Sequence, residues 1–355
     1  MIKKLPLITL FLTSILFYGQ QSYYNDVDLT KVSTELKEEL ATKIIDTHTN
    51  YLSYTPGIWE ACKATDVNPE NSSEVLLIYG YTNDTSTTAL TDGIDNQNTG
   101  GTTGWNREHT YPRSLGDPDL GSTGPGADAH HLRPSNATMN SNRGNLPFAT
   151  GSGNAGSVSG GWYPGDEWKG DVARMMMYMY LRYGEQCLPS VVGVGSSSST
   201  PDDMIDLFLD WNAEDPVSEI EEARNAYHEN TLNDYAQGNR NPFIDNPYLA
   251  TLIWGGTVAE DKWDMPTASS SEFKLTDGIK MYPNPSTNGS LNISITNNIN
   301  ISEIGIYSVI GKRVTQVTNP NFTNNRFSIS NINKGIYLVK ISSENNTITK
   351  KLIVQ

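Results

Sequence analysis

Apolar residues recur at three- and four-residue steps at about 33–47, 57–65, 168–183, 202–212 and 217–236, and this spacing predicts helices with one buried face. Asp, Ser or Thr precedes several of these stretches, as N-caps do. The short run Val75–Tyr81 predicts a buried strand. Residues 82–105 and 150–161 are rich in Gly, Thr, Asn and Asp and predict long surface loops, which often frame a functional site. After Trp263 the pattern changes. Runs such as LNISIT, EIGIYSV, FSISNI and GIYLVKIS alternate with period two between Asn, Gly and Pro, predicting a small antiparallel β-sandwich. The fold class is α+β: a mainly helical domain followed by that sandwich.

The leader joins Lys3 and Lys4, an apolar run from Leu5 to Tyr18 and then Gly19, the layout of a secretory signal peptide over residues 1–20. Its apolar run is short for a stable membrane span, and an uncleaved interfacial anchor is the alternative. The expected organisation is then a catalytic domain at 21–263, a Pro/Ser/Thr linker at 264–275 and the sandwich at 276–355. Charge supports the division. The whole chain carries −15, whereas the tail has eight basic against three acidic residues. An acidic body excludes a protein that coats nucleic acid by bulk charge. Seven basic residues nevertheless fall between 107 and 182 (Arg107, Arg113, Arg133, Arg143, Lys169, Arg174 and Arg182), which predicts a local basic cleft. Two cysteines rule out a disulfide-rich scaffold. Cys62 and Cys187 are open to two readings, a disulfide in an exported chain or two buried thiols.

The candidate chemistry lies in Gly104–Ala149, which holds three of the five histidines, His109, His130 and His131. Glu108 and His109 end a polar extended stretch. A second strand, AHHLRPS, leads into a helix near Asn136 that carries Asn140, Asn142, Arg143 and Asn145. This set suits phosphodiester hydrolysis. A hard cation on oxygen donors such as Glu108 and Asn140 would neutralise phosphate charge. Neutral His109 could take a proton from water, and an arginine, Arg143 or Arg174, could grip the phosphate. Neighbours on a regular strand face opposite sides, so Glu108 and His109 share a site only if the strand ends, bends or bulges there.

The strings WNREHTYP and HHLRPSNATMNSNRGN, with the later WKGDVARMMMYMYLRY and NRNPFIDNPYLATLIW, resemble the bacterial endonuclease I family, within the ββα-metal (His-Me finger) nucleases. The resemblance spans most of 30–255. It implies that His109 is the general base and that Glu108 and Asn140 hold the metal, Mg²⁺ with Mn²⁺ or Ca²⁺ as alternatives. It also implies cleavage of DNA, extending to RNA, with 5′-phosphate products. No base-reading module is visible in the sequence, so cleavage is expected to be largely sequence-independent. Many members have Asn where His131 stands, so His131 either positions His109 by a hydrogen bond or replaces Asn neutrally. Of the candidate arginines Arg113, Arg143 and Arg174, Arg143 is preferred because it lies one turn after Asn140. In the tail, MYPNPSTNGSLNI, IGIYSVIGKRV, INKGIYLVKI and KKLIV resemble the C-terminal sorting domain of type IX secretion cargo. That implies passage through the periplasm, recognition by the type IX machinery at the outer membrane, and a secreted or cell-surface product. Separately, the chain is expected to be a monomer with no stable membrane span. The competing readings are a zinc hydrolase using His109, His130 and His131, and a non-catalytic Ca²⁺-binding adhesin built on loops 82–104 and 117–127.

Overall fold

The computed structural model describes residues 22–265, apart from 99 and 102, and residues 278–355, apart from 296–299, 309–311, 324 and 344–345. The signal peptide expected at 1–20 lies outside the described residues, as does the expected linker beyond Met265.

Helices α1 (Ser33–Thr47) and α2 (Gly57–Thr65) open the first unit. A small antiparallel sheet follows, made of β1 (Val67–Asn68), β2 (Asn71–Leu76) and β3 (Thr91–Gly93). Next come the paired strands β4 (Trp105–His109) and β5 (Leu132–Asn136), helix α3 (Ala137–Arg143), and a second pair, β6 (Gly156–Val158) and β7 (Gly161–Tyr163). The remainder is helical: α4 (Lys169–Tyr183), α5 (Pro189–Val192), α6 (Asp206–Glu214), α7 (Glu219–Glu229), α8 (Pro242–Asp245) and α9 (Tyr248–Trp254).

Helix α4 is the axis of this unit. Every residue from Gly170 to Leu181 is buried, so the helix is enclosed on all sides, with α1, α6 and α8 among its neighbours. Leu36, Leu40 and Ile44 of α1 bury one stripe at four-residue spacing. Each such fully buried aliphatic or Met side chain contributes roughly 1.5–3 kcal/mol. The two charged residues within the buried stretch 170–181 of α4 are matched: Arg133 of β5 donates to Asp171 at 2.8 Å, and Arg174 grips Glu221 of α7 at 2.6 and 2.7 Å. Burial of those charges is tolerable only because each is paired.

Three sequence expectations shift. Helix α6 starts at Asp206 rather than 202, because the Asp202 side chain accepts from the Met204 amide at 3.0 Å and holds a turn there. Helix α7 opens with a capping box between Ser218 and Glu221 but stops at Glu229, not 236; Gly238, at φ 96°, returns its amide to the His228 carbonyl at 2.7 Å. The strand expected over Val75–Tyr81 ends at Leu76. Tyr79 takes φ 72°, outside any strand conformation.

The C-terminal unit has two antiparallel sheets. One orders β11 (Arg313–Thr318), β10 (Glu303–Ser308), β13 (Gly335–Ser343) and β14 (Asn346–Val354); the other orders β12 (Arg326–Ile329), β9 (Leu291–Ile295) and β8 (Ile279–Tyr282). Alternate residues of both, including Ile293, Ile304, Val339 and Leu352, join one buried cluster, as the period-two pattern predicts. No helix among the described residues is long and apolar enough to cross a membrane.

Candidate active site

Strands β4 and β5 run antiparallel, with Glu108 opposite Arg133 and His109 opposite Leu132. Helix α3 follows β5 directly. Its N-cap, Asn136, accepts from the amides of Thr138 and Met139, and Gly144, at φ 55°, ends it. One turn into α3, Asn140 leans back on β4: its Nδ2 donates to Asn106 Oδ1 at 2.8 Å and to the Arg107 carbonyl at 3.4 Å. An open cleft is lined by Arg107, Glu108, His109, Arg113, Asp119 and Asn140, among others. Glu108 and His109 both line it, at the last two positions of β4.

Glu108 is 2% exposed. Its Oε1 accepts from the Tyr79 hydroxyl at 3.0 Å and from Arg143 Nη1 at 3.1 Å. Burial pushes its carboxyl up to about 7, against the pull of Arg143 and Tyr79. A nearby cation would complete what those two donors begin. Among the described residues, the hydrogen bonds of Glu108 fall on Oε1 and those of Asn140 on Nδ2. Glu108 Oε2 and Asn140 Oδ1 therefore remain as hard oxygen donors on one cleft, a set that fits Mg²⁺, Mn²⁺ or Ca²⁺ with water and phosphate as further ligands.

His109 Nε2 lies 3.0 Å from the Gly126 carbonyl. A carbonyl only accepts, so Nε2 carries the proton and Nδ1 keeps its lone pair. Burial, helped by His131, lowers His109 to about 3, which keeps the ring neutral at physiological pH. His131 makes no hydrogen bond to His109. Its own Nε2 meets the adjacent carbonyl, Pro125 O, at 2.7 Å, and the two rings are 5.6 Å apart. The loop Gly124–Ala127 thus anchors both histidines through consecutive carbonyls.

The expected arginines lie elsewhere. Arg143 is fully buried, with Nη1 on Glu108 and the His109 carbonyl and Nη2 on the Thr110 carbonyl at 2.9 Å. It braces the end of β4 and does not line the cleft. Arg174 is held inside by Glu221 and by the Asp215 carbonyl at 2.8 Å, also away from the cleft. Most of the basic cluster of 107–182 is likewise paired within the fold: Arg133 with Asp66 and Asp171 and Arg182 with Asp128 inside, and Lys169 with Glu214 at the surface. Arg107 and exposed Arg113 are the arginines that line the cleft, and Arg113 makes no ion pair among the described residues. The zinc reading finds no geometry either. His130 turns to the Asn239 carbonyl and the Tyr178 ring, and no described group of His, Cys, Asp or Glu could hold a metal by itself. Cys62 and Cys187 are buried free thiols.

Tyr79, Tyr54 and Gly126 contact the candidate residues without carrying a sequence signal: Tyr79 sits in an apolar run, Tyr54 lies outside the histidine-rich segment, and Gly126 is one of several glycines in a loop.

A catalytic rather than a binding role follows from comparison with known proteins. Residues 280–355 match the family described as a secretion system C-terminal sorting domain, which marks the chain for export to the outside or surface of the cell. Residues 32–248 match the family described as endonuclease I. An extracellular ribonuclease of Bacillus subtilis (strain 168) is 39% identical over 243 residues, covering 66% of this chain and 78% of that protein. One of Bacillus amyloliquefaciens is 38% identical over 244 residues, with the same coverages. The protein is a nuclease with a type IX sorting domain. It belongs to the endonuclease I family.

Proposed function

We propose that the protein is an exported endonuclease that hydrolyses phosphodiester bonds of RNA and DNA without reading sequence, using one divalent metal and leaving 5′-phosphate ends. The observation that carries this reading is the meeting of Glu108, His109 and Asn140 at the end of β4. His109 Nδ1, bare and uncharged, takes the proton from the attacking water. Glu108 and Asn140 would hold the cation, which when bound supplies charge neutralisation at the phosphate. Arg107 and Arg113 face the incoming backbone. Arg143 acts through Glu108, fixing the carboxylate that meets the metal. The extracellular ribonucleases named above support RNA as a substrate. The cleft lies on short strand and helix ends rather than on a groove-reading helix, which supports backbone recognition.

Incubating the purified protein with plasmid DNA and with RNA, after EDTA and then after added Mg²⁺ or Zn²⁺, tests the proposal. Cleavage of both, lost with EDTA and restored by Mg²⁺, is the expected result. Restoration by Zn²⁺ alone, or no cleavage under any metal, would defeat it.

A further inference from the structure

Residues 48–56 connect α1 to α2, and both ends of this connection are pinned. At one end the amides of Thr49 and Asn50 donate to the Gln237 carbonyl at 3.0 and 3.1 Å. At the other, Ser53 accepts from the Gly57 amide at 3.1 Å through Oγ and from the Ile58 amide at 3.0 Å through its carbonyl. A Cβ on Gly57 would stand 3.1 Å from that Oγ, so the turn into α2 is closely packed. Tyr54 stands in the middle of this fixed span, half-buried.

Its ring touches two cleft residues at once. The His109 imidazole stacks on it, with centroids 5.4 Å apart and planes 30° from parallel. The Arg107 guanidinium carbon is 3.6 Å from the same ring centroid and 4.2 Å from that of Trp59. Arg107 Nη1 also donates to the Tyr54 carbonyl and, at 3.0 Å, to Thr55 Oγ1. Arg107 and His109 are two positions apart on β4, so they share a strand face, and Tyr54 is the neighbour they have in common. The Gly126 carbonyl holds His109 at one ring nitrogen only. One hydrogen bond does not by itself fix the ring plane, and the Tyr54 face contact adds a second restraint beside the His131 ring.

We infer that Tyr54 is a positioning residue for the hydrolysis: its ring fixes the imidazole of His109 and the guanidinium of Arg107 as one unit. The inference rests on the proposed role of His109. Tyr54 contributes no proton and no ligand atom to it. A base displaced by about 1 Å loses on the order of 10²-fold in rate, so ring removal acts chiefly on kcat.

The test uses the full mature protein with a defined RNA and a duplex DNA under Mg²⁺. Tyr54→Leu should lower kcat about 30-fold or more with a smaller change in KM, and Tyr54→Phe, which keeps the ring, should recover most of that loss. In a His109→Ala background, Tyr54→Leu should cost nothing further. Near-normal kcat in Tyr54→Leu beside an inactive His109→Ala protein would overturn the positioning role alone. Activity retained by His109→Ala would overturn the catalytic reading beneath it. Should Tyr54→Leu fail to fold, NMR of the wild type decides: a nuclear Overhauser contact between the Tyr54 and His109 rings is expected, and its absence refutes the inference.

Discussion

Arg143 and Glu108 form a buried pair at 3.1 Å, and the same guanidinium also binds the main-chain carbonyls of His109 and Thr110. A phosphate-binding arginine would present free N–H groups to the cleft. Arg143 instead holds the last residues of β4 in place from behind. Arg143→Met should therefore destabilise the fold by about 3–5 kcal/mol, the typical result of leaving a buried carboxylate unpaired. It should also raise the metal concentration needed for half-maximal activity, because the orientation of Glu108 is lost. Urea denaturation and a Mg²⁺ titration of the rate measure the two effects. A variant of unchanged stability with only a raised KM for substrate would return Arg143 to the phosphate.

The arginines that line the cleft make a different prediction. Two cations facing a polyanion imply release of few counterions, so log affinity should fall with log salt with a slope of about −2. Arg113→Ala should reduce that slope by about one and raise KM similarly for all sequences, with kcat much less affected. Filter binding in Ca²⁺ at several salt concentrations gives the slope directly. A slope near −6 would mean that a far larger basic surface contributes.

The contrast between those two arginines also shows what could be read from the chain alone. Helices α1, α2 and α4 lie within a residue of their expected bounds, because their apolar spacing is local information. Glu108, His109 and Asn140 are brought together on one cleft, since strand, turn and helix lie in one contiguous segment. The arginines were opaque. Arg133, Arg174 and Arg182 are neutralised by Asp66, Glu221 and Asp128, all distant in sequence or on another element, and a count of basic residues carries no trace of that pairing. Tyr79 is similar. Its left-handed backbone, costing roughly 1–3 kcal/mol, accompanies a hydroxyl contact to Glu108 made 29 residues away.

A third expectation concerns acid. His228 is fully buried next to His130, with ring centroids 5.0 Å apart, and neither of its ring nitrogens has a hydrogen-bond partner among the described residues. Burial, then His130 and Arg224, hold it well below its ordinary value near 6.5, with Asp128 opposing and His48 adding to the shift. The native state therefore resists a proton that the unfolded state accepts. Stability from this group is complete above about pH 6.5 and is lost as pH falls towards the folded value. His228→Leu removes that loss. Relative to wild type, the variant should gain up to about 1.4 kcal/mol per pH unit between about pH 6.5 and 5, whatever its offset at pH 7.5. Urea melts of both proteins at four pH values check it, and a stability gap independent of pH would contradict it.

Gly126 carries the last prediction. Its carbonyl orients His109, and its α-carbon is packed so closely that an added Cβ would lie 2.2 Å from the Gly121 carbonyl oxygen and 2.7 Å from that of Leu120. Both obstacles are backbone, so no side chain can rotate away, and the turn itself must move. That movement displaces the acceptor that keeps the proton on Nε2 of His109. Gly126→Ala should lower kcat by about 10²-fold, as expected for a base shifted by about 1 Å. Its effect should not add to His109→Ala, because both act on one proton transfer. Binding of substrate in Ca²⁺ should persist, since Arg107 and Arg113 do not depend on that carbonyl. Single-turnover rates with matched binding measurements separate the two, and a Gly126→Ala protein with wild-type kcat would show that the carbonyl contact is dispensable.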